Sequence, residues 1–450
     1  MSLSASQFRR NRLVWYLYDV GNSAYPSVVL LAVYAAYFKQ DVVGGAEGSR
    51  LWGLAVGIAM LVVAIVSPFL GSIADFSGAK KRFLLFFTTL SCLFTALLFF
   101  VQTGDVVIGM LFFILAEIGY RGGQVFYNAL LPEVAEPDEV GRVSGIGWAI
   151  GLVGGIVCLL VVLGLIMAIE GTFIVRLSLV FTAIYFATFA TPIFVWMRER
   201  TPPQPLPPGE SYLSFALKRL KRTVRKVRHY REFLKFIAAF LVYNDGILMT
   251  LSFAAIFGQT VFGLEQQQII LFMLLVQVTS VIGAYVAGFM ADYFDGRRTL
   301  IFFLTIMTLA VGGLFLNNNV TVFYVIGGVA GGALSAIQSV SRGLVSVLSP
   351  PEQSAEFYGF FAVAGRTSSF IGPTIYGWLA VEAYEWFLAQ GEAASFLGFE
   401  AYPAGEVLAE QLGQRVGVLS IIIFLVVGLI LLFSVDEERA KAALRSHPAA

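Results

Sequence analysis

Apolar residues in this chain fall in long unbroken stretches and do not alternate with polar ones. A helix needs about 20 apolar residues to cross a hydrocarbon core. Runs of that order lie at 13–38, 51–74, 83–102, 106–130, 143–168, 173–197, 233–258, 267–291, 299–316, 320–347, 356–381 and 415–435. They predict an all-α polytopic membrane protein of twelve helices, divided six and six by the insertion after the sixth. The first run follows Arg9, Arg10 and Arg12, is too long for a signal-peptide core and lacks a small-residue cleavage site, so it reads as a retained span.

Composition agrees with the pattern. Of 450 residues, 58% are hydrophobic and 13% charged, whereas soluble domains carry about 25% charged residues. The net charge of +1 suggests no polyanionic partner. Two histidines (His229, His447) and two isolated cysteines (Cys92, Cys158) leave no zinc spacing, redox pair or Cys/His nucleophile, so neither metal nor cofactor is expected.

Charge placement orients the array. "GAKKR" (78–82), "RER" (198–200), "GRR" (296–298) and the tail residues Arg439, Lys441 and Arg445 fall on the side of the N-terminus. So does "SYLSFALKRLKRTVRKVRHYR" (211–231), with eight Lys/Arg and no acid, whereas 382–413 on the other side has six glutamates and no Lys or Arg. Positive loops stay cytoplasmic, which predicts both termini and the insertion inside; the chain's compactness suggests a prokaryotic inner membrane. The expected organisation is an N-terminal half (1–197), a linker (198–232) and a C-terminal half (233–450) with an outer loop at 382–413. Within the linker, "TPPQPLPPG" (201–209) is a stiff proline-rich stretch. Leu213, Leu217, Leu220, Val224 and Val227 then recur at helical spacing among the basic residues. That predicts an amphipathic helix on anionic lipid, with a nucleic-acid reading as the weaker alternative.

The halves repeat. "GSIADFSGAKKRF" (71–83) matches "GFMADYFDGRRTL" (288–300) at an offset of 217 residues, as 288 − 71. "VSGIGWAIGLVGG" (143–155) matches "FYGFFAVAGRTSS" (357–369) at 214, as 357 − 143, pairing Gly145 with Gly359 and Gly151 with Gly365. In the first pair the glycines allow a sharp turn, and the carboxylate can accept from a helix N-terminus or pair with a base. Asp75 with Lys81 and Arg82, and Asp292 with Arg297 and Arg298, are therefore gating candidates. Simple stapling of the loop is the alternative.

"GSIADFSGAKKR" resembles the cytoplasmic-loop motif of the major facilitator superfamily. "WYLYDVGNSAY" (15–25), "YNALLPEV" (127–134), "GRVSGIGWAIG" (141–151), "YNDG" (243–246) and "QSVSRGLVSVLSPPEQSAEFYGF" (338–360) resemble its vacuole-effluxer-like branch. That resemblance implies two pseudo-symmetric six-helix bundles with a substrate path between them, and export of amino-acid-like solutes.

Polar positions inside the spans carry the candidate chemistry. A charge at mid-bilayer costs about 2.5–3.5 kcal/mol even on the lenient insertion scale, so it faces a cavity or a partner. Asp19 and Asn22 share a face of the first span, and the seventh carries Asn244 and Asp245. Each half thus begins on a span with one Asp and one Asn, read as substrate, ion or gate contacts or as inter-helix hydrogen bonds. Gly21 and Gly246 beside them predict local unwinding. Glu117 and Arg121 are spaced for an intrahelical pair, with Glu117 as a proton carrier if released. "RGGQ" (121–124) faintly resembles the arginine motif of proton-coupled facilitators. Arg366 is a candidate for a substrate carboxylate, since guanidinium binds it bidentately. Gln124 and Gln277 are secondary binding candidates, and Asn128, Gln338 and Arg342, near span ends, are gating ones.

The resulting expectation is a secondary transporter, monomeric, moving a small polar solute such as an amino acid or short peptide by alternating access, with export and proton coupling as its finer features. There is no nucleotide-binding loop. A non-transporting receptor or scaffold and a lipid-modifying membrane enzyme are the rival classes. The enzyme would need a clustered nucleophile or metal set, and no histidine lies within a span.

Overall fold

The chain is described here from a computed structural model covering residues 5–43, 45–169, 171–200, 230–264, 266–367, 371–390 and 405–446. The insertion segment 201–229 and the loop centre 391–404 lie outside the described residues, and with them the basic helix expected at 211–231. Among the described residues there is no strand.

The apolar runs become helices. They are α1 (Ala5–Asn22), α2 (Gly45–Ser77), α3 (Lys80–Leu97), α4 (Val106–Ala129), α5 (Val140–Ala168) and α6 (Thr172–Trp196). Then come α7 (Arg231–Phe262), α8 (Gln266–Phe294), α9 (Gly296–Leu316) and α10 (Val320–Leu348). The last are α11 (Ser354–Thr367), α12 (Ile371–Gln390), α13 (Gly405–Phe433) and a polar α14 (Glu437–Ser446). Among the described residues nine helices are long and apolar enough to cross a membrane, and a bent pair in α2, Leu54–Ser67 with Phe69–Ser77 at 44°, makes a tenth. The first run is instead shared between shorter helices, and the eleventh is described on either side of 368–370.

The first run breaks for a local reason. Pro26 has no N–H to donate, so the ladder of α1 cannot pass through it unchanged. Wide turns cover Pro26–Ala32 and Phe38–Val43, and Val33 N–H reaches back five residues to the Val28 carbonyl at 2.7 Å. The glycine beside each polar pair does something other than unwind the helix. Gly246 lies inside regular turns of α7, and Gly21 is the last residue but one of α1. A Cβ at Gly21 would fall 2.8 Å from the Phe186 carbonyl oxygen, and one at Gly246 3.0 Å from Leu425, so each serves close helix packing.

The chain divides into two compact units. The first holds the described residues up to Tyr230, together with Arg342–Val363 and those from Lys441; the second holds Arg231–Ser341 and Ala364–Ala440. In the first unit, α1 packs on α5 and α6 while α4 packs on α2 and α3. The α1–α5 contact is a register of small against large residues. Gly147, Gly151 and Gly155, each four apart, lie against Trp15, Asp19 and Ser23, also four apart. A Cβ on Gly147 would sit 2.5 Å from the Trp15 ring, one on Gly151 2.9 Å from Asp19 Cγ, and one on Gly155 2.8 Å from the Ser23 carbonyl. Glycine on one helix therefore lets the other bring its polar residues into a buried seam.

Outward-facing side chains include Leu160, Met167, Ile184, Leu309 and Ile430, all exposed. Large apolar groups on the surface of membrane-spanning helices face lipid, where exposure carries no hydrophobic penalty.

Candidate transport site

In the first unit the polar residues of α1 meet a base from far along the chain. Arg342 Nη1 lies 3.5 Å from Asp19 Oδ2, with side-chain exposures of 2% and 8%. Its Nε donates to Ser144 Oγ at 3.0 Å and its Nη2 to the Ser144 carbonyl at 2.5 Å. The guanidinium lies over three rings, with centroid distances of 5.1 Å to Trp148, 5.2 Å to Trp15 and 5.9 Å to Tyr127. Trp15 and Tyr127 stack at 4.6 Å, and Trp15 Nε1 donates to the Tyr127 carbonyl at 3.1 Å. Tyr358 Oη fixes the backbone behind Arg342 by donating to its carbonyl at 2.7 Å. Position near a span end marked Arg342 as a gating residue; the fold buries it against Asp19. Nothing in local sequence shows this cage, because its members come from α1, α4, α5 and α10.

Asn22 donates to Asp19 Oδ1 at 3.5 Å, as expected of residues three apart. Three polar atoms here have no hydrogen-bond partner among the described residues: Asn22 Oδ1, Asn128 Oδ1 and Trp148 Nε1. Deeper in α4, Arg121 Nε donates to Glu117 Oε1 at 2.7 Å. Glu117 is fully buried. Gln124, half-buried one turn on, lies beside Tyr120.

The second unit treats its Asn differently. Asn244 donates to the Gly365 carbonyl at 3.3 Å and accepts from Gln338 Nε2 at 3.1 Å. Asp245 is buried, and its Oδ1 has no hydrogen-bond partner among the described residues. Gln277 is half-buried on α8, apart from these. Arg366 belongs to α11, but its side chain lies outside the described set. The paired glycines of the 214-residue repeat thus have matching neighbours. Gly151 lies against Asp19 on α1, and Gly365 lies against Asn244 on α7.

The other repeated signature is a helix cap in its first copy. Asp75, fully buried, accepts from the N–H groups of Ala355 at 3.1 Å and Glu356 at 2.8 Å, the first turn of α11. Gly71, one turn earlier, admits that contact, since a Cβ there would meet the Ala355 carbonyl oxygen at 2.5 Å. Lys80 completes it, 3.2 Å from Asp75 Oδ1 and 3.8 Å from Glu133 Oε1, while donating to Ser354 Oγ at 2.7 Å. Expectation named the next two bases, and these lie elsewhere. Lys81 Nζ donates to the Met197 carbonyl and its N–H to Glu199, at 2.8 and 2.9 Å, and Arg82 is exposed. The offset held the signal, since 297 − 217 is 80 and aligns Lys80 with Arg297.

In the second copy Asp292 is exposed and Asp295 takes over the capping role. It accepts from Arg298 N–H at 2.7 Å and pairs with Arg298 Nε at 3.2 Å. Arg297 donates from its N–H to Glu437 at 3.0 Å and from Nη2 to the Phe433 carbonyl at 2.8 Å. The turn itself repeats: Gly78 has φ +58°, and Asp295, its equivalent at an offset of 217, has φ +87°. A side chain rarely tolerates that conformation, and the cap formed by Asp295 offsets the strain.

The family model described as "Vacuole effluxer Atg22 like" matches residues 52–382. The chain belongs to that family. The MFS-type transporter YxiO of Bacillus subtilis (strain 168) is 26% identical over 381 residues, covering 82% of this chain and 88% of that one. Autophagy-related protein 22-1 of Aspergillus niger is 29% identical over 262 residues, covering 52% of this chain; the match spans 42% of the fungal protein, less than half of its length. Solved structures show the fold. The human organic anion transporter MFSD10 aligns with TM-score 0.68 at 12% identity, over 94% of this chain and 99% of that one. The proton:xylose symporter XylE aligns with TM-score 0.63 at 14% identity, over 94% and 96%. This effluxer-like chain is a transporter of the major facilitator fold and not an enzyme.

Proposed function

We propose that this chain is an alternating-access secondary transporter that exports a small polar solute, an amino acid or short peptide, in exchange for protons. The observation that carries the reading is how Arg342–Val363 is held in the first unit. Beside apolar packing, its ties include polar ones: Arg342 to Asp19 and Ser144, and the start of α11 to Asp75 and Lys80. Polar ties inside apolar helices can be exchanged for water or ligand at small net cost, which apolar packing cannot. The segment is thus a bistable element that a solute and a proton could bias. Glu117, fully buried and paired with Arg121, is the proton carrier in this reading. The termini and basic loops lie in the cytoplasm, the basic stretch 211–231 rests on anionic lipid, and the protein works as a monomer in a prokaryotic inner membrane. Asp19, Asn22, Asn244, Asp245 and Arg366 contribute to the solute path, with Gln124 and Gln277 beside it.

The test is flux. Purified protein in liposomes loaded with a radiolabelled amino-acid mixture should release label faster than empty liposomes, and an imposed proton gradient should change the rate. Release equal to the control for every amino acid and dipeptide tried would overturn the proposal.

A further inference from the structure

We infer that the aromatic cage now filled by the Arg342 guanidinium is a binding site for the cationic head of a solute, a guanidinium or an alkylated ammonium. The inference rests on the transport reading above and specifies the chemistry of its solute. Trp15, Tyr127 and Trp148 come from α1, α4 and α5, and Asp19 stands among them. Without Arg342, a space bordered by the Trp148 ring, the stacked Trp15 and Tyr127 rings and one carboxylate remains. Ring faces attract weakly hydrated cations, flat guanidinium and bulky quaternary ammonium above all, and the carboxylate supplies the opposite charge.

A second observation is independent of the rings. The cage contains more polar groups than Arg342 uses. Its Nε and Nη2 both go to Ser144, and the Asp19 pair is long at 3.5 Å. Asn22 Oδ1 and Trp148 Nε1 have no hydrogen-bond partner among the described residues, and Asn22 is 2% exposed. Buried donors and acceptors are costly to leave unpaired, so a site that keeps both is built for a partner with hydrogen-bonding groups of its own. Arg342 belongs to the segment whose release the transport cycle requires. Its departure would leave Asp19 without its counter-charge until a solute cation takes the place. The resident arginine and the solute then compete, which couples binding to opening.

Binding to purified full-length protein in nanodiscs tests this, with ethylguanidinium and tetramethylammonium as probes and the neutral N-ethylurea as comparator. Arg342→Ala removes the competitor, so its affinity for both cations should exceed that of the wild type at least tenfold, with N-ethylurea unbound. Adding Asp19→Asn to Arg342→Ala should abolish the gain. Should Arg342→Ala not fold, Arg342→Met, which keeps the volume of the stem, carries the same expectation. In wild-type protein at high probe concentration, Trp148→Leu should reduce cation binding. No cation binding in the wild type or in any folded Arg342 variant, or binding indifferent to Asp19, overturns the inference. The two proposals separate cleanly: flux of amino acids with no cation bound defeats the cage alone, and cation binding without flux of any solute defeats the transport reading.

Discussion

Arg342 and Asp19 form a buried ion pair at 3.5 Å between the first helix and the tenth, within a seam that Gly147 and Gly151 open for it. A buried pair is hard to break from one side only, because the partner left behind has no water to turn to. Asp19→Asn should therefore destabilise the protein by about 3 kcal/mol and abolish flux. Combined with Arg342→Met, it should cost clearly less than the two single changes added together. Denaturation of the four proteins in one detergent gives the coupling, and strict additivity would show that the pair contributes nothing.

The cap on α11 gives a second expectation. Asp75→Asn keeps the size of the side chain but removes the nearer counter-charge of Lys80 and weakens two backbone contacts, and losing a cap typically costs about 1 kcal/mol. Flux should fall while ligand affinity stays near wild type. Gly71→Ala, which forces a Cβ onto the Ala355 carbonyl, should act in the same direction. With Cys92 and Cys158 removed, a reporter at buried Ser354 (Ser354→Cys) should become more reactive in both variants. Unchanged reactivity would count against a latch that opens.

Asn22 and Asn244 should part company. Asn22 keeps an unpaired oxygen, so Asn22→Ala should weaken solute binding by about 1–3 kcal/mol with little change in Tm. Asn244 is committed to Gly365 and Gln338, so Asn244→Ala should lower Tm first. Tm and affinity measured on the same samples decide it, and the reverse pattern would exchange the two roles.

Topology can be read at the two ends of α4. Thr103 and Asp138 are both exposed, before and after that helix. In the cysteine-free background, an impermeant thiol reagent added outside intact cells should label Thr103→Cys and leave Asp138→Cys untouched. Labelling of Asp138→Cys alone would invert the proposed orientation.

Glu199 links stability to pH. It lies past the end of α6, where burial pushes its carboxyl above the ordinary 4.5, Glu133 adds to the rise, and the Lys81 N–H and Lys80 oppose it. A carboxyl raised in the folded state holds its proton longer there than in the unfolded chain, so its contribution falls as pH rises from about 4.5 through the folded value. Wild-type Tm should therefore drop more between pH 5 and pH 7.5, as round experimental choices, than that of Glu199→Gln. Parallel melting curves would rule out Glu199 as the cause.

Much of the protein was legible before any coordinates, because lipid imposes strict rules. Every span must be long, apolar and helical to satisfy its backbone, so ten of the twelve runs map onto described helices that meet the membrane criterion, one of them as a bent pair. Local chemistry made the exception at Pro26 in the first run, and the eleventh is described only on either side of 368–370. The internal repeat was legible for the same reason. A turn that needs positive φ constrains its residue, and Gly78 and Asp295 share the conformation at the offset read from sequence.

The pairs were not legible in the same way. Glu117 with Arg121 was, because four residues on one helix fix the geometry. Asp19 as a polar residue in need of a partner was legible too, since lipid cannot solvate it. Which partner it takes was not, because choosing Arg342 over Arg121 or Arg366 depends on which helices adjoin α1 and at what height. Lys80 outranked Lys81 for a similar reason: one residue is about 100° of helix, enough to turn one lysine toward Asp75 and the next toward Met197. Sequence alone determined most of the spans and which residues cannot be left in lipid. Tertiary packing decided which of those residues meet, because an ion pair is set by a few ångströms in space and not by distance along the chain.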